Sequence, residues 1–275
     1  GDLGRAFRGD AMKALPVLMY HHVSPAPGLV TLSPENFRDQ IAALAAAGWR
    51  SIGCAELENF LAGQPLPEKS VMLSFDDGYL DNFIHAHPVL REFGMKAILF
   101  IVTGWIGDGA ARAAADCPDH RECKRRIAAG DTDSVMLRWS EIEQMRAAGT
   151  FEFHSHTHSH TRWDRSIVDH AQRLLALEAD LLASRQTLAA RLGIDDHHLC
   201  WPQGYYQADY LPLANRLGFR YLYTTRPGTN PADASANEIR RIVTKDKGGE
   251  WLLRRLRIYA SPLLTRLYSL LKGEK

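Results

Sequence analysis

The chain has 275 residues, of which 45% are hydrophobic and 24% charged, values typical of an ordinary globular protein. Its 33 basic and 32 acidic residues give a net charge of +1, which provides no general argument for nucleic-acid binding. The first 13 residues lack the apolar run of a signal peptide, and no stretch of about 18 apolar residues predicts a membrane span. We therefore expect a cytoplasmic protein, or a periplasmic one if a leader has been removed.

The first half of the chain alternates strand and helix patterns. An apolar strand over 15–20 leads into His21 and His22. Ser33 and Pro34 are typical of a helix start, because a capping residue precedes a proline at the first helical position. Further strands are predicted around 51–53, 71–75 and 97–102, and helices over 34–48, 56–61 and 82–93.

The second half repeats this alternation. The predicted elements are a helix over 140–148, a strand over 150–153, a helix over 167–192, a strand over 198–201, a helix over 209–217 and a strand over 221–225. Repeated βα units predict a parallel sheet, and this number of units predicts a closed or nearly closed α/β barrel. We expect an N-terminal extension over 1–14, one distorted (β/α) barrel domain over 15–249, and a C-terminal helix over 250–275.

Residues 107–134 interrupt the alternation with a segment rich in Ala, Asp, Arg and Gly. A long excursion at a barrel mouth is typical of a loop that shapes a substrate site, and a disordered insertion is the alternative. Cys117 and Cys123 lie in this segment on either side of His120. Their spacing fits no standard zinc signature, so we expect plain loop cysteines rather than a local disulfide or a minor metal site.

The C-terminal segment 250–275 is basic and amphipathic. Its apolar residues recur at helical spacing and arginines surround them, while Pro262 predicts a break or kink. We expect the leucines to pack on the barrel and the arginines to face water. The alternative is peripheral contact with an anionic membrane surface.

Two adjacent carboxylates, Asp76 and Asp77, follow the apolar run Val71-Met72-Leu73 and precede Gly78. This pattern predicts a buried strand that ends in acids at its carboxyl edge, where α/β folds place their chemistry. One carboxylate can bind a metal ion while the other accepts a proton.

A histidine-rich run supplies further metal ligands after the apolar Phe151 and Phe153. Two pairs have the same spacing, His154 with His158 and His156 with His160. Either pair would place two imidazoles on one face of a helical turn. Two imidazoles and one carboxylate make a catalytic divalent-metal site with open positions, for which zinc is the first expectation and cobalt or nickel are also suitable.

Together these motifs resemble the polysaccharide deacetylase family, carbohydrate esterase family 4, over about residues 15–225. The resemblance implies that Asp76 is the general base and Asp77 a metal ligand. The family's second motif often reads Glu-x-Gly-Ser-His-Thr-x-Thr-His, which fits residues 152–160 with His156 and His160 as the other ligands and His154 in the place of a glycine.

A third segment, Cys200-Trp201-Pro202-Gln203-Gly204, stands where the family often has Arg-Pro-Pro-Tyr-Gly. The resemblance implies that the Gln203 backbone amide is the oxyanion donor. It also implies an aromatic wall at Trp139 and substrate contacts from Trp201, Pro202, Gly204 and Tyr205. The arginine that usually orients the base is replaced by Cys200, and Arg240, Arg241 and Lys245 are candidates for its work.

The family's late histidine motif, which carries the general acid, is absent because no histidine follows His198. Met19-Tyr20-His21-His22-Val23 resembles the branch acting on poly-β-1,6-N-acetylglucosamine, where an early histidine at a strand end replaces it. The resemblance therefore implies His21 as general acid, with His22 in that role, or both as packing residues, as the alternatives.

The resemblance implies a metal-dependent hydrolase that removes N-acetyl groups from an N-acetylhexosamine glycan. An alternative substrate is a lipid-linked aminosugar or lipopolysaccharide precursor, deacetylated or deformylated at the cytoplasmic face of the inner membrane. An alternative of another class is an inactive carbohydrate-binding barrel.

Overall fold

A curved parallel sheet forms the centre of the protein, for which a computed structural model describes residues 11–273. Within these residues the strands are β1 (Ala14–Leu15), β2 (Val17–Tyr20), β3 (His22–Val23), β4 (Thr31–Leu32), β5 (Arg50–Ser51), β6 (Ser70–Asp77), β7 (Ala97–Ile101), β8 (Phe151–Ser155), β9 (His198–Cys200), β10 (Tyr221–Tyr223), β11 (Asn230–Pro231) and β12 (Ile242–Val243).

The sheet runs in the order β10–β9–β8–β7–β6–β2–β12, with β5 also paired to β6, and all of these pairs are parallel. One short segment closes the ring. Ile239 forms a parallel bridge with Tyr223 at one edge, and Ile242 pairs with Leu18 at the other. The distorted (β/α) barrel predicted from the repeated βα units is therefore confirmed.

Helices cover the outside of the barrel. They are α1 (Pro34–Ala46), α2 (Cys54–Leu61), α3 (His87–Glu92), α4 (His120–Ala128), α5 (Trp139–Ala147), α6 (Trp163–Ser166), α7 (His170–Leu192), α8 (Tyr210–Arg216), α9 (Gly249–Tyr259) and α10 (Pro262–Lys272). A π-helical turn, Asn82–Ala86, leads directly into α3. The helix predicted over 167–192 starts at His170, because the Asp169 side chain accepts a hydrogen bond from the Gln172 N–H and caps the helix there.

Strand β6 packs against the helices with one face and against the inside of the barrel with the other. All eight of its residues are buried, as expected for a central parallel strand with both faces covered. Val71, Leu73 and Phe75 point outward into the hydrophobic layer beneath the helices. Met72 packs inside the barrel, and Asp76 lies on the same face near the carboxyl end. The chemistry therefore lies at one end of an otherwise apolar strand.

Helix α1 begins as the sequence predicts. The Ser33 side chain accepts a hydrogen bond from the Asn36 N–H, and Pro34 occupies the first turn. Helix α9 packs on α1, where the Gly249 N–H donates to Asp39 Oδ2 over 2.7 Å. An added Cβ at Gly249 would overlap Ala43 of α1, so this close approach requires glycine.

The C-terminal segment forms two helices, α9 and α10, and Pro262 is the first residue of the second. Leu252, Leu256 and Tyr259 of α9 are buried as expected. The expectation that the later leucines also pack on the barrel is wrong. Leucines on α10 are exposed, among them Leu263 (67%) and Leu271 (88%), because the helix turns its Thr265 face inward.

The insertion over 107–134 is ordered at the barrel mouth. It contains α4, whose N-terminal end is capped by the Asp119 side chain, which accepts from the Glu122 N–H. Cys123 is buried on this helix, Cys117 is half-buried before it, and both are free thiols. The expectation of two loop cysteines is wrong for Cys123, which lies on a helix, and the expectation that they form no metal site stays a prediction.

Most of the predicted N-terminal extension, residues 1–10 of 1–14, lies outside the described residues, and its boundary stays a prediction. Ala14 already belongs to β1, which pairs antiparallel with β11. Among the helices within 11–273, none has the length and apolar character required to cross a bilayer.

Candidate active site

A cavity of about 360 Å³, here called the cleft, opens at the carboxyl ends of the central strands. Ligands of α/β barrels bind at this end, where strand-end residues from different βα units meet. Five of the predicted catalytic and metal-binding side chains line the cleft together, namely His21, Asp76, Asp77, His156 and His160.

The two adjacent acids reach the same cleft because the chain turns sharply after β6. Neighbouring side chains of a regular strand point to opposite faces. Asp77 instead adopts φ 79° and Gly78 φ 93°, so the strand alternation ends between Asp76 and Asp77. A left-handed conformation at a non-glycine residue costs about 1–3 kcal/mol and is typical of functional sites.

Asp77 lies between two imidazoles. Its Oδ1 atom is 3.2 Å from His156 Nε2 and 3.5 Å from His160 Nε2. One donor atom from each of the three residues lies within 4.8 Å of the others. Burial by itself would raise the pKa of Asp77, but the neighbouring histidines outweigh it and hold this pKa well below its usual value. The aspartate is therefore ionised.

The orientation of these donors fits a divalent cation. His156 Nδ1 lies 2.8 Å from the Cys200 carbonyl oxygen, to which it can donate only as N–H. In the neutral tautomer this leaves the Nε2 lone pair facing the Asp77 carboxylate. Burial would lower the pKa of His156, but Cys200 and Asp77 outweigh it and raise this pKa well above its usual value, so without a cation a proton occupies Nε2. Burial also lowers the pKa of His160 to about 4, against the opposing effect of Asp77, so His160 is neutral at pH 7. Lone pairs that converge in this way require a cation or a proton between them.

The histidine run is a bent loop, so the expectation that the ligands share a face of a helical turn is wrong. Thr157 and His160 have φ values of 65° and 57°, which fold the loop back toward Asp77. Asp180 Oδ1 accepts the backbone N–H groups of His158 and Ser159 and stabilises this shape.

Only one of the two possible histidine pairs lies at Asp77. His158 Nδ1 lies 2.9 Å from Thr103 Oγ1, away from the Asp77 cluster. His154 belongs to a different cluster with Cys54 and Glu152. The structure thus brings together the pair His156 and His160, which is the one implied by the family resemblance.

A buried arginine holds the other acid of the cleft, Asp76. Arg241 Nη1 donates to Asp76 Oδ1 over 2.7 Å and Nη2 to Oδ2 over 2.8 Å, in a two-pronged ion pair. The arginine is fully buried, and its Nε also donates to the Thr224 carbonyl oxygen. Burial would raise the pKa of Asp76, but Arg241 outweighs it and lowers this pKa below the usual value.

Arg241 therefore makes the contact with Asp76 that the resemblance implies for an arginine at position 200. Arg241 Nη2 lies 3.1 Å from Cys200 Sγ, so the smaller cysteine leaves room for a guanidinium that comes from the far edge of the sheet. Arg241 was one of three candidates, and the sequence offered no means of choosing among them. The neighbouring Arg240 instead pairs with Glu238 at the surface.

His21 and His22 are neighbours in the chain but lie in different environments. His21 Nε2 lies 3.7 Å from Asp76 Oδ2 at the cleft. Burial lowers the pKa of His21, while the carboxylates of Asp76 and Asp77 oppose that effect. His22 is buried behind it, where Nδ1 lies 2.6 Å from Asp81 Oδ2 and Nε2 lies 3.0 Å from His120 Nδ1. His21 is thus the one of the two that lines the cleft.

Gln203 and Gly204 also line the cleft. They form a turn in which both residues have left-handed backbone, with φ values of 56° and 67°. A Cβ at Gly204 would overlap the Thr225 side chain, so the turn depends on glycine at this point.

The structure does not place four predicted substrate contacts at the cleft. Trp139 packs in the hydrophobic core beneath the helices, with the Arg191 guanidinium over its ring. Trp201 is 1% exposed and stacks on Tyr206, because Cys200 faces the barrel interior and the next side chain must face outward. Pro202 and Tyr205 line a separate small hollow beside α6 and α8.

The aromatic wall of the cleft comes from residues that sequence reasoning missed. Trp105 lies directly after β7, and its ring centre is 5.3 Å from that of His160. Tyr79 follows the two acids of β6 and also lines the cleft. Both stand just beyond the carboxyl end of a strand, and this position was the available signal. The insertion contributes His120, Lys124 and Ile127 from α4.

The chain is similar in sequence and fold to several known proteins. The family model for polysaccharide deacetylases matches residues 63–222. YxkH of Bacillus subtilis (strain 168) is 25% identical over 229 residues, which are 83% of this chain and 70% of that protein. The poly-β-1,6-N-acetyl-D-glucosamine N-deacetylase of Escherichia coli (strain K12) is 24% identical over 221 residues, covering 72% of this chain but only 31% of that protein.

Among solved structures, IcaB from Ammonifex degensii has a similar fold with a TM-score of 0.69 and 25% identity. The similarity covers 85% of this chain and 92% of IcaB.

Replacing Arg241 by Met should lower the free energy of unfolding by about 3–5 kcal/mol, because it leaves the buried Asp76 carboxylate without a counter-charge. Urea unfolding measures this loss. The matched control is Arg240→Met, whose side chain is 46% exposed and pairs at the surface, so its cost should stay within about 1 kcal/mol. Adding Asp76→Asn to Arg241→Met should recover part of the loss. Equal losses in the free energy of unfolding for Arg240→Met and Arg241→Met would show that Arg241 is not the required counter-charge of Asp76.

His160→Ala should lose one equivalent of bound zinc relative to the wild type, because it removes one of three converging ligands. His158→Ala is the matched control in the same loop and should retain that equivalent. Metal analysis after dialysis distinguishes the two variants. The reverse result would show that the cleft uses the other histidine pair.

Proposed function

Because the chain belongs to the polysaccharide deacetylase family, which hydrolyses amide bonds in glycans, we propose that it removes N-acetyl groups from an N-acetylhexosamine polymer and releases acetate. The observation that carries this proposal is the convergence of Asp76, Asp77, His156 and His160 with His21 in one cleft. The E. coli relative is named for poly-β-1,6-N-acetyl-D-glucosamine, so a β-1,6-linked polymer is the first substrate to test.

We propose that Asp77, His156 and His160 hold a divalent metal ion, with zinc favoured and cobalt or nickel also suited to two imidazoles and a carboxylate. Such an ion, when bound, acidifies water and polarises the acetamide carbonyl group. Asp77 ends β6 and His156 directly follows β8, both of which are fixed in the sheet, while His160 lies on the loop after β8 whose shape Asp180 stabilises.

Asp76 would act as the general base. It accepts a proton from the water molecule whose oxygen attacks the acetamide carbon. Arg241 holds the carboxylate in one orientation and keeps it ionised, which a buried acid without a partner would not be.

His21 would act as the general acid. The carbon–nitrogen bond breaks as His21 delivers a proton to the leaving sugar nitrogen, and the products are acetate and a free amino sugar. Burial lowers the pKa of His21, and the neighbouring carboxylates of Asp76 and Asp77 favour the protonated form that this role requires. The backbone amide of Gln203 is proposed to stabilise the developing oxyanion.

The walls of the cleft suit a sugar chain. Trp105 offers an aromatic face beside the ligand His160, and aromatic faces commonly pack on the apolar side of sugar rings. Lys124 and Ile127 of α4 border the same cavity, so the insertion determines what can enter it. A full catalytic set beside an open cleft does not favour the alternative of an inactive carbohydrate-binding barrel.

A second candidate substrate is a lipid-linked aminosugar that is deacetylated or deformylated at the inner face of the cytoplasmic membrane. The specific observation is the leucine face of α10, defined as Leu263, Leu264, Leu267, Leu270 and Leu271, all of which are 47–88% exposed. Residues 249–272 carry five basic side chains against the single acid Glu250. Exposed leucines on a basic helix are typical of binding to an anionic bilayer surface.

Asp76→Asn should lower acetate release by about 10²–10⁴-fold, because the amide cannot accept the water proton. The bound metal should remain, since Asp76 is not among the ligands. Acetate release is measured on β-1,6-linked N-acetylglucosamine oligomers, chitooligosaccharides and a lipid-linked N-acetylhexosamine, with metal content determined on the same samples. Near-normal turnover in this variant would show that another group is the base, and release from none of the substrates would reject the proposed reaction.

Replacing Leu263, Leu267 and Leu270 together by Ser should abolish flotation of the chain with phosphatidylglycerol vesicles, because these side chains provide the apolar contact. The control is Leu175→Ser, which changes a leucine 66% exposed on α7. Vesicles of phosphatidylcholine should bind the wild type more weakly, since they lack the anionic charge. If the triple variant floats as well as the wild type, α10 is not a membrane-binding helix.

A further inference from the structure

A second group of metal-binding side chains lies at the opposite end of the barrel from the cleft. Cys54, Glu152 and His154 each place one donor atom within 4.8 Å of the others. We call these three residues the basal cluster. They border a separate cavity of about 410 Å³, which gives solvent a path to them. None of them takes part in the reaction proposed above.

Strand β8 explains why one sequence segment serves both ends of the barrel. Glu152, His154 and His156 lie at alternate positions and therefore on the same face, while Phe151 and Phe153 point outward into the hydrophobic core. At about 3.3 Å per residue, Glu152 and His156 are about 13 Å apart along the strand. His156 therefore reaches the cleft, and Glu152 and His154 belong to the other end.

His154 is oriented as in many metal sites. Its Nδ1 atom lies 2.7 Å from Asp196 Oδ1, and its Nε2 atom lies 3.2 Å from Cys54 Sγ. The Asp196 carboxylate is fully buried and also accepts the backbone N–H of Ser155. A carboxylate that binds one imidazole nitrogen fixes the ring and directs the other nitrogen to a metal.

Glu152 approaches Cys54 from the same strand. Glu152 Oε2 accepts the Cys54 backbone N–H over 3.0 Å and lies 3.8 Å from His154 Nε2. A Cβ atom at Gly53 would overlap the Glu152 carboxylate, so the close approach depends on glycine before α2. Gly53 thus leaves room for the Glu152 carboxylate beside the Cys54 backbone N–H.

We propose that the basal cluster binds zinc through Cys54 Sγ, His154 Nε2 and a Glu152 oxygen. A thiolate with an imidazole and a carboxylate is a set that zinc accepts readily, whereas magnesium and calcium prefer oxygen ligands. Binding releases the thiol proton to solvent. The ion would join the start of α2 to β8 and stabilise the amino-terminal end of the barrel, independently of the reaction in the cleft.

The competing explanation is a hydrogen-bonded polar network without metal. His198 belongs to the same region, where its Nε2 lies 2.7 Å from Glu58 Oε1 and its Nδ1 lies 3.0 Å from the Tyr223 hydroxyl. Both nitrogens of His198 are thus engaged. The Cys54 thiol contacts the outer nitrogen of His154 and also interacts with His198, and an ion bound to Cys54 and His154 can replace the thiol–imidazole contact.

Cobalt substitution distinguishes these explanations, because cobalt bound to a thiolate gives a charge-transfer absorption in the near ultraviolet. The proposed ligands in the cleft contain no sulfur, so the band reports a thiolate site alone. We expect the band when the full chain is titrated anaerobically with cobalt chloride, and also in the Asp77→Ala variant, in which the cleft has lost a ligand. Zinc should displace the cobalt and raise the melting temperature of Asp77→Ala.

Three cysteine variants assign the band. Cys54→Ser should abolish it, whereas Cys123→Ser, at a buried thiol on α4, should retain it. Cys200→Ser should also retain the band, which would show that the band does not arise from the Cys200 thiol near Asp76 and His156. Asp196→Asn should weaken cobalt binding by about 10–100-fold. Absence of the band from the wild type, or its persistence in Cys54→Ser, would overturn the proposal, and neither result bears on acetate release.

Discussion

The ion pair between Asp76 and Arg241 links the closure of the barrel to its chemistry. A carboxylate this deeply buried is costly unless a counter-charge and hydrogen bonds accompany it. Arg241 lies in the short segment 239–243 that contacts both edges of the sheet. Closure of the barrel therefore brings Arg241 to Asp76, and this partner keeps the carboxylate ionised although it is buried.

The two acids of β6 then have different environments although they are neighbours in the chain. The negative charge of Asp76 is balanced by the Arg241 guanidinium, and Asp77 faces two imidazoles. The turn at Asp77 and Gly78 separates them. One acid is consequently suited to proton transfer and the other to binding a cation, and the difference arises from what each carboxylate touches rather than from residue type.

The residues on the inward face of β8 also differ in environment according to what each side chain contacts. Successive inward residues Glu152, His154 and His156 share a direction but meet different partners, because the sheet brings α2 to one end and the end of β6 to the other. A histidine run that is ambiguous in sequence is thereby divided into His156 and His160 at the cleft, His158 at Thr103, and His154 at the basal cluster.

The alternation of strands and helices and the α/β barrel could be predicted from the sequence, because periodicity and strand-end position are local properties. The choice of Asp77, His156 and His160 as metal ligands came only from the family resemblance. The sequence did not determine the partner of Asp76, since Arg241 is 165 residues away in the chain and pairs across the sheet. It also misplaced Trp139 and Trp201, whose burial depends on which side of a strand or helix faces the core. These features depend on the folded chain, because long-range pairing and the inward or outward direction of a side chain are set by the packing of distant elements.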